Sequence, residues 1–262
     1  MKKTAITLII LALIAGGCKL KITSANLPTT SSQIDTLNIQ QELTQEEIDQ
    51  NLLRLLEQQK FNSYPTVSAE EIARIAPIIK KWTDFYSLDF AQARFIGKDN
   101  ICLDCPPDTS SVYYNKYTPE QNTSQLIEMF YSPDKQRYID IGILCENING
   151  KYYDTGDYDD SQAVYFTDRQ LKHNHNLLYF GISARIETVF WKNNDVFILV
   201  GQGDFGEGIT YFFVYEYNIP NQTIFQYDML VPYLVENSYR EQVYKEKGII
   251  ENYEEYKKLK SQ

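Results

Sequence analysis

At Val112 the spacing of apolar residues changes from a helical period to a strand-like one, and it stays strand-like almost to Val235. A period of two belongs to strands with one buried face. The runs Val112–Tyr117, Leu126–Tyr131, Tyr138–Leu144, Ala163–Thr167 and Leu177–Ile182 each suit one strand. So do Ile186–Trp191, Val196–Gly201, Thr210–Tyr217 and Ile224–Tyr227. Between runs stand Pro133-Asp134, Asn149-Gly150, Asn193-Asn194 and Pro220-Asn221. Proline presets φ for a turn, and asparagine and glycine tolerate positive φ. Strands joined this way pair with their sequence neighbours, so the chain is expected to be mainly β, in antiparallel meander sheets.

The run from Ile127-Glu128-Met129-Phe130-Tyr131-Ser132-Pro133-Asp134 on to Gly142 aligns without a gap with the run from Ile186-Glu187-Thr188-Val189-Phe190-Trp191-Lys192-Asn193 on to Gly201. The offset is constant, 186 − 127 = 59 residues. Each copy reads strand, turn, strand, and each is followed by a further hairpin pattern, Ala163–Gly181 and Tyr211–Tyr227. The unit resembles a blade of a β-propeller, and Ser132-Pro133-Asp134 is similar to the turn of TolB-type propeller repeats. Closing a ring takes about four blades, and two units are visible. The alternatives are further, degenerate blades, an open or stacked antiparallel sheet with a blade-like pattern, and two unrelated hairpins of similar composition.

Helices flank this region. Thr44 and Glu47 form a capping-box pattern ahead of Ile48, Leu52, Leu55 and Leu56, predicting a helix to about Lys60. Ser68 and Glu71 repeat the signal ahead of Ile72, Ile75, Ile79, Trp82 and Phe85, with Pro77 expected to kink or split the helix. A third, charged and tyrosine-bearing helix is expected over 239–260, with Gly248 as a break. The expected class is therefore α+β: β-rich from 110 to 235, two N-terminal helices within 44–90 and one C-terminal helix, all in a single globular domain from 44 to 262.

The first residues carry a different signal. Lys2 and Lys3 precede an apolar run from Ala5 to Ala15 broken only by Thr7, and Gly16-Gly17-Cys18 follows. A basic start, a short apolar stretch and small residues make a signal peptide, too short to span a bilayer that needs about 20 residues. The order Leu13-Ile14-Ala15-Gly16-Gly17-Cys18 resembles the lipobox of bacterial lipoproteins, with Ala15 where a larger aliphatic is usual. That resemblance implies removal of residues 1–17, diacylation of the Cys18 thiol and acylation of the new amino group. Two or three chains make a stable anchor, and one does not. It also implies the outer membrane, because Lys19 and Leu20 stand where an aspartate would retain the protein at the inner one. From 18 to 43 the residues are polar and without period, a flexible tether.

The formal charge is −10, and losing Lys2 and Lys3 with the leader takes it to −12. Such a chain is not expected to bind nucleic acid or anionic lipid through simple electrostatics. Hydrophobic residues make up 43%, which excludes wholesale disorder. With Cys18 spent on lipid, Cys102, Cys105 and Cys145 remain, an odd number that permits at most one disulfide within the chain. Cys145 with Cys102 or Cys105 and the short Cys102–Cys105 loop are the possible pairings, with buried thiols next. A redox site would need a thiol at a helix N-terminus, and Pro106-Pro107 follows instead.

No motif carries chemistry at a defensible spacing. Asp154, Asp157, Asp159 and Asp160 make an oxygen-rich loop that fails the EF-hand pattern and reads as solvated. His173 and His175 fall in a polar turn and lack a third metal ligand. Gly201 to Gly208 is glycine-rich but lies between strands rather than before a helix, so it reads as a wide hairpin loop, not a phosphate cradle. Asp204 and Glu207 in it are the nearest thing to paired glycosidase acids. No catalytic residue, metal or cofactor is expected. The sequence points to an envelope lipoprotein that binds a protein or a glycan without catalysis. One form of it is an immunity-type protein whose acidic face meets a basic effector. The alternatives are a glycan hydrolase using acidic residues, and a structural or assembly lipoprotein.

Overall fold

A computed structural model describes residues 55–101, 129–155, 161–171, 173–206, 209–233, 235 and 237–261. The fold is mainly β, antiparallel and flanked by helices, as the period-two pattern requires. A helix over 55–63 leads to α1, Ala69–Tyr86, and a 3-10 turn at Phe90–Gln92. Strand β1, Arg94–Asn100, follows. Then come β2 Phe130–Tyr131, β3 Arg137–Asp140, the hairpin of β4 Cys145–Ile148 and β5 Lys151–Asp154, β6 Gln162–Asp168 and β7 His173–Phe180. The last long strands are β8 Ala184–Trp191, β9 Val196–Gly206, β10 Ile209–Asn218 and β11 Thr223–Val231. Helix α2 Tyr239–Lys247, the short β12 Ile249–Ile250 and helix α3 Tyr253–Lys260 end the chain.

Three sheets result: β1-β11-β10-β9-β8, β2-β3-β6-β7 and β12-β5-β4. All pairings are antiparallel except β12 with β5. The two larger sheets hold the same unit, a four-stranded up-and-down meander, once as β2-β3-β6-β7 and once as β8-β9-β10-β11. The segments that align at offset 59 occupy β2–β3 and β8–β9. The topology repeats but the register does not. Tyr131 faces Tyr138 in the first hairpin, whereas Trp191, not Phe190, faces Phe197 in the second. A one-residue slip exchanges the faces of a strand, and β8 absorbs one through a bulge between Ile186 and Thr188.

The layers are α1, the five-stranded sheet and the four-stranded sheet. Phe212 of β10 meets Trp82 and Tyr86 of α1 with ring centroids 5.6 Å and 4.7 Å apart. On the other face Phe197 and Phe213 stack on Phe166 and Phe180 of the second meander, at 6.0 Å and 5.3 Å. These rings and the fully buried Ile75, Ile79, Ile198, Leu199, Val200 and Val214 form one core.

Helix α1 starts where its capping box predicts, with Ser68 and Glu71 bonded reciprocally. It ends at Ser87, which takes a left-handed φ of 55°. The helix runs through Pro77 without splitting. Pro77 lies on the exposed side, as does Ala73, whose carbonyl the proline leaves without a helical donor and which water can serve. The C-terminal pattern does break at Gly248, φ 70°, into α2 and α3 rather than running as one helix. Asn149 and Gly150, both at positive φ, make the two-residue turn of β4–β5. The segments 1–54 and 102–128, where the sequence leads one to expect a signal peptide, a tether, the start of the first helix and the strand Val112–Tyr117, lie outside the described residues.

Candidate functional site

Strands β2 and β8, the first strands of the two meanders, are edge strands of their sheets and run close to one another. Between them opens a cleft of about 590 Å³. Met129, Phe130 and Tyr131 form one wall, and Val189, Phe190, Trp191 and Lys192 the other. Helix α1 closes it with Ile78 and α2 with Lys247. Trp191 Nε1 donates to the Phe130 carbonyl at 2.9 Å, which fixes the indole plane and joins the walls. Lys247 Nζ donates to the Met129 carbonyl at 3.0 Å and sits 4.1 Å from the centre of the Phe130 ring, a cation–π contact. Among the described residues of the lining, the charged ones are Lys192 and Lys247.

What positions the two helices around β8 is Glu187. It is the extra residue of the β8 bulge, is 0% exposed, and points away from the four-stranded sheet. Its Oε2 accepts from Trp82 Nε1 at 2.8 Å. Its Oε1 accepts from the Tyr86 hydroxyl at 2.6 Å, the Ser238 hydroxyl at 2.8 Å, Tyr239 N–H at 2.9 Å and Gln202 Nε2 at 3.2 Å. The directions are self-consistent. Ser238 accepts from Arg240 N–H as the N-cap of α2, and Tyr86 accepts from Tyr239 N–H, so both hydroxyl protons are left for the carboxylate. Burial, together with the charge of Glu187, raises the Tyr86 phenol well above its ordinary range, so it remains a donor. One carboxylate thus ties α1, the N-terminus of α2 and β9 to β8. Beside the bulge Ile186 stays opposite Gly201, and the Gln162 amide of β6 bonds both of its backbone groups, at 2.6 Å and 3.0 Å. The residue at the matching offset, Glu128, lies outside the described residues.

A second polar seam joins α1 to the sheet. Arg74 pairs with the buried Glu216 of β10 and donates to the Tyr227 hydroxyl, which donates to Glu71 Oε1 at 3.1 Å. Burial works against ionisation of Glu71, but its bonds to Ser68 and Tyr227 and the charge of Arg74 outweigh it and hold the carboxyl below its usual range. Joining the meanders are Arg137, bonded to Asp168, Asp195 and the Asn194 carbonyl, and Asp134, whose N–H bonds Asn194. The Ser132-Pro133-Asp134 turn of one unit therefore meets the Asn193-Asn194 turn of the other.

The residues singled out from sequence are dispersed. Cys18, Cys102 and Cys105 lie outside the described residues; Cys145 is half-buried at the start of β4, opposite Asp154. Asp154 is buried at the end of β5, and Asp157, Asp159 and Asp160 lie outside the described residues. His173 and His175 belong to β7, paired with Asp168 and Phe166, and the turn falls before them. Gly201 to Gly206 continues β9 instead of forming a wide loop. Its glycines make room for rings, because a Cβ at Gly201 would strike the Arg185 carbonyl and Phe213, and one at Gly203 the Tyr211 ring. Asp204 is exposed on β9, and Glu207 lies outside the described residues. Among the described residues no group of three His, Cys, Asp or Glu could hold a metal. Neither Glu187 nor the cleft was apparent from sequence. The available signal was an acid inside the apolar run Ile186–Trp191.

No protein-family model, curated protein or solved structure matches the chain.

Proposed function

We propose that this chain is an envelope lipoprotein, anchored by lipid on Cys18 to the outer membrane, whose folded part is a non-catalytic binding module for a protein or a glycan. The observation that carries the binding reading is the cleft between the edge strands β2 and β8, about 590 Å³ and a concave site of ligand size. Its β8 wall is tied to α1, to β9 and to the start of α2 by the Glu187 network, so that this wall is set before a ligand arrives. The anchoring reading rests on the order of residues from Lys2 to Cys18. The acids on which a hydrolase would draw are spread over separate sheets where they are described, Asp154 on β5 and Asp204 on β9.

Growth with labelled palmitate tests the anchor. The full chain should carry label in the membrane fraction, and Cys18→Ser should carry none and leave that fraction. Unlabelled wild-type protein would overturn the lipoprotein reading. Capture of a ligand from envelope extracts by the wild type but not by Trp191→Ala tests the module. Equal capture by both would remove the cleft from the account.

A further inference from the structure

We propose that Asn149 is a site of spontaneous conversion to aspartate and isoaspartate, and that Asn147 restrains it. Asn149-Gly150 is the only Asn-Gly pair in the 262 residues. Both residues are exposed at the tip of the β4–β5 hairpin, and a Cβ added at Gly150 would meet nothing within 4 Å, so no side chain shields the peptide nitrogen between them. Once its proton has passed to a base in the solvent, that nitrogen attacks Cγ of the asparagine. The new N–C bond closes a five-membered imide, and the side-chain nitrogen takes up a proton and leaves as ammonia. Water then opens the ring. Breaking the bond to Cγ gives aspartate. Breaking the bond to the main-chain carbonyl carbon gives isoaspartate, whose backbone passes through Cβ and Cγ and is one atom longer.

The fold opposes the first step in two ways. Asn149 and Gly150 hold φ of 54° and 83°, the left-handed pair of a two-residue hairpin turn, closed by Ile148 opposite Lys151. Ring closure needs the Gly150 nitrogen to turn toward the Asn149 side chain and out of that conformation. Gly150 N–H meanwhile donates to Asn147 Oδ1 at 2.9 Å. This bond stabilises the protonated nitrogen and must break before the nitrogen can attack. When isoaspartate does form, its extra backbone atom no longer fits a two-residue turn, and the register from Cys145–Asp154 to Ile148–Lys151 is disturbed. The same hairpin holds α3, since the Tyr153 hydroxyl donates to Glu255 at 3.0 Å and the Tyr256 hydroxyl to Glu146 at 2.8 Å. Isoaspartate at the tip therefore loosens the C-terminal helix.

The full-length protein is aged in mildly alkaline buffer, and the peptide holding Asn149 is followed by mass spectrometry for the gain of one mass unit, with isoaspartate methyltransferase to count the isoaspartate. The proposal predicts product at Asn149 in the folded wild type, forming more slowly than in urea. Asn147→Ala, shown to be folded by circular dichroism, should react roughly two- to tenfold faster than the wild type, as expected for loss of one hydrogen bond. Asn147→Asp keeps an acceptor for Gly150 N–H and should stay near the wild-type rate. In urea all three should react alike. Product in urea and none in the folded protein would overturn the site. Equal rates in buffer for wild type and Asn147→Ala would overturn the restraint, and a difference that persists in urea would assign it to local sequence instead of the fold. Trypsin should cut α3, at Lys257 or Lys258, sooner in the isoaspartate fraction than in unmodified protein; equal cutting would overturn the link to that helix.

Discussion

Glutamine at position 187 keeps the shape of the side chain and replaces one carboxylate oxygen by a group that donates. Four donors converge on Oε1 and one, the Trp82 indole, on Oε2. The amide oxygen goes where four bonds meet, which leaves the –NH2 facing the indole N–H. One buried donor without an acceptor costs about 1–3 kcal/mol. The four remaining bonds fall from charged to neutral strength, a loss of roughly 0.5 kcal/mol or more each. Release from burying a charge offsets part of this. The net effect of Glu187→Gln is a destabilisation of about 3 kcal/mol, and Glu187→Ala, which removes the acceptor that five donors share, reaches about 3–5 kcal/mol. In a domain of this size about 3 kcal/mol lowers Tm by roughly 6–12 °C. Thermal unfolding followed by circular dichroism, with urea titration as a second measure, reads the shift. Asp84→Asn serves as control, since it removes only the exposed pair with Lys80 and should move stability by about 0–0.5 kcal/mol. If Glu187→Gln melts with the wild type, the donors have other acceptors and Glu187 is not what holds the two helices to β8.

Arg74→Ala leaves the carboxylate of Glu216 buried without its cation and should cost about 3–5 kcal/mol in urea unfolding, most of it recovered in the double variant Arg74→Met, Glu216→Leu. Gly201→Ala should lower the urea midpoint more than Gly203→Ala, by about 1–3 kcal/mol, because a backbone carbonyl blocks the first and a movable tyrosine ring the second; the reverse order would contradict the packing described for β9. Burial pushes the carboxyl of Asp228, on β11 beside Tyr211 and Tyr215, up from 3.8 to about 6. The folded state then binds the proton more tightly than the unfolded one, so this contribution to stability is complete below about pH 3.8 and is lost as pH rises through about 6. The loss is about 3 kcal/mol at most. Asp228→Asn should flatten that part of the pH–stability curve and raise stability at pH 7, and an unchanged curve would refute the assignment.

Much of the architecture was legible because it follows from local rules. Period two, together with Asn149-Gly150, Asn193-Asn194 and Pro220-Asn221, predicted the meanders, and Ser68 with Glu71 predicted the start of α1 to the residue. The offset of 59 pointed to two units of the same topology. What escaped depends on contacts across the fold. Strand β1 shows little alternation, and its sequence Arg94–Asn100 becomes a strand because β11 offers an edge. The register slip at Ile186–Thr188 cannot be seen in a gapless alignment, since a bulge adds a residue to one strand without adding one to the sequence pattern. Gly201 and Gly203 looked like loop residues because their partners, Phe213 and Tyr211, lie ten or so residues away across a hairpin. The same holds for Glu187, whose role is set by five donors from α1, β9 and the start of α2, and for the cleft, whose walls come from residues about 60 apart.

Whether the cleft is where this protein binds the proposed ligand is tested most directly by photo-crosslinking in living cells. A benzophenone amino acid replaces Tyr131 in the cleft or, as control, Lys80 on the exposed side of α1. Benzophenone inserts into C–H bonds, so it captures glycan and protein alike. The account predicts a discrete, shifted product from position 131 and none from position 80. A product from position 80 alone, or the same product from both, would place binding elsewhere on the molecule and contradict it.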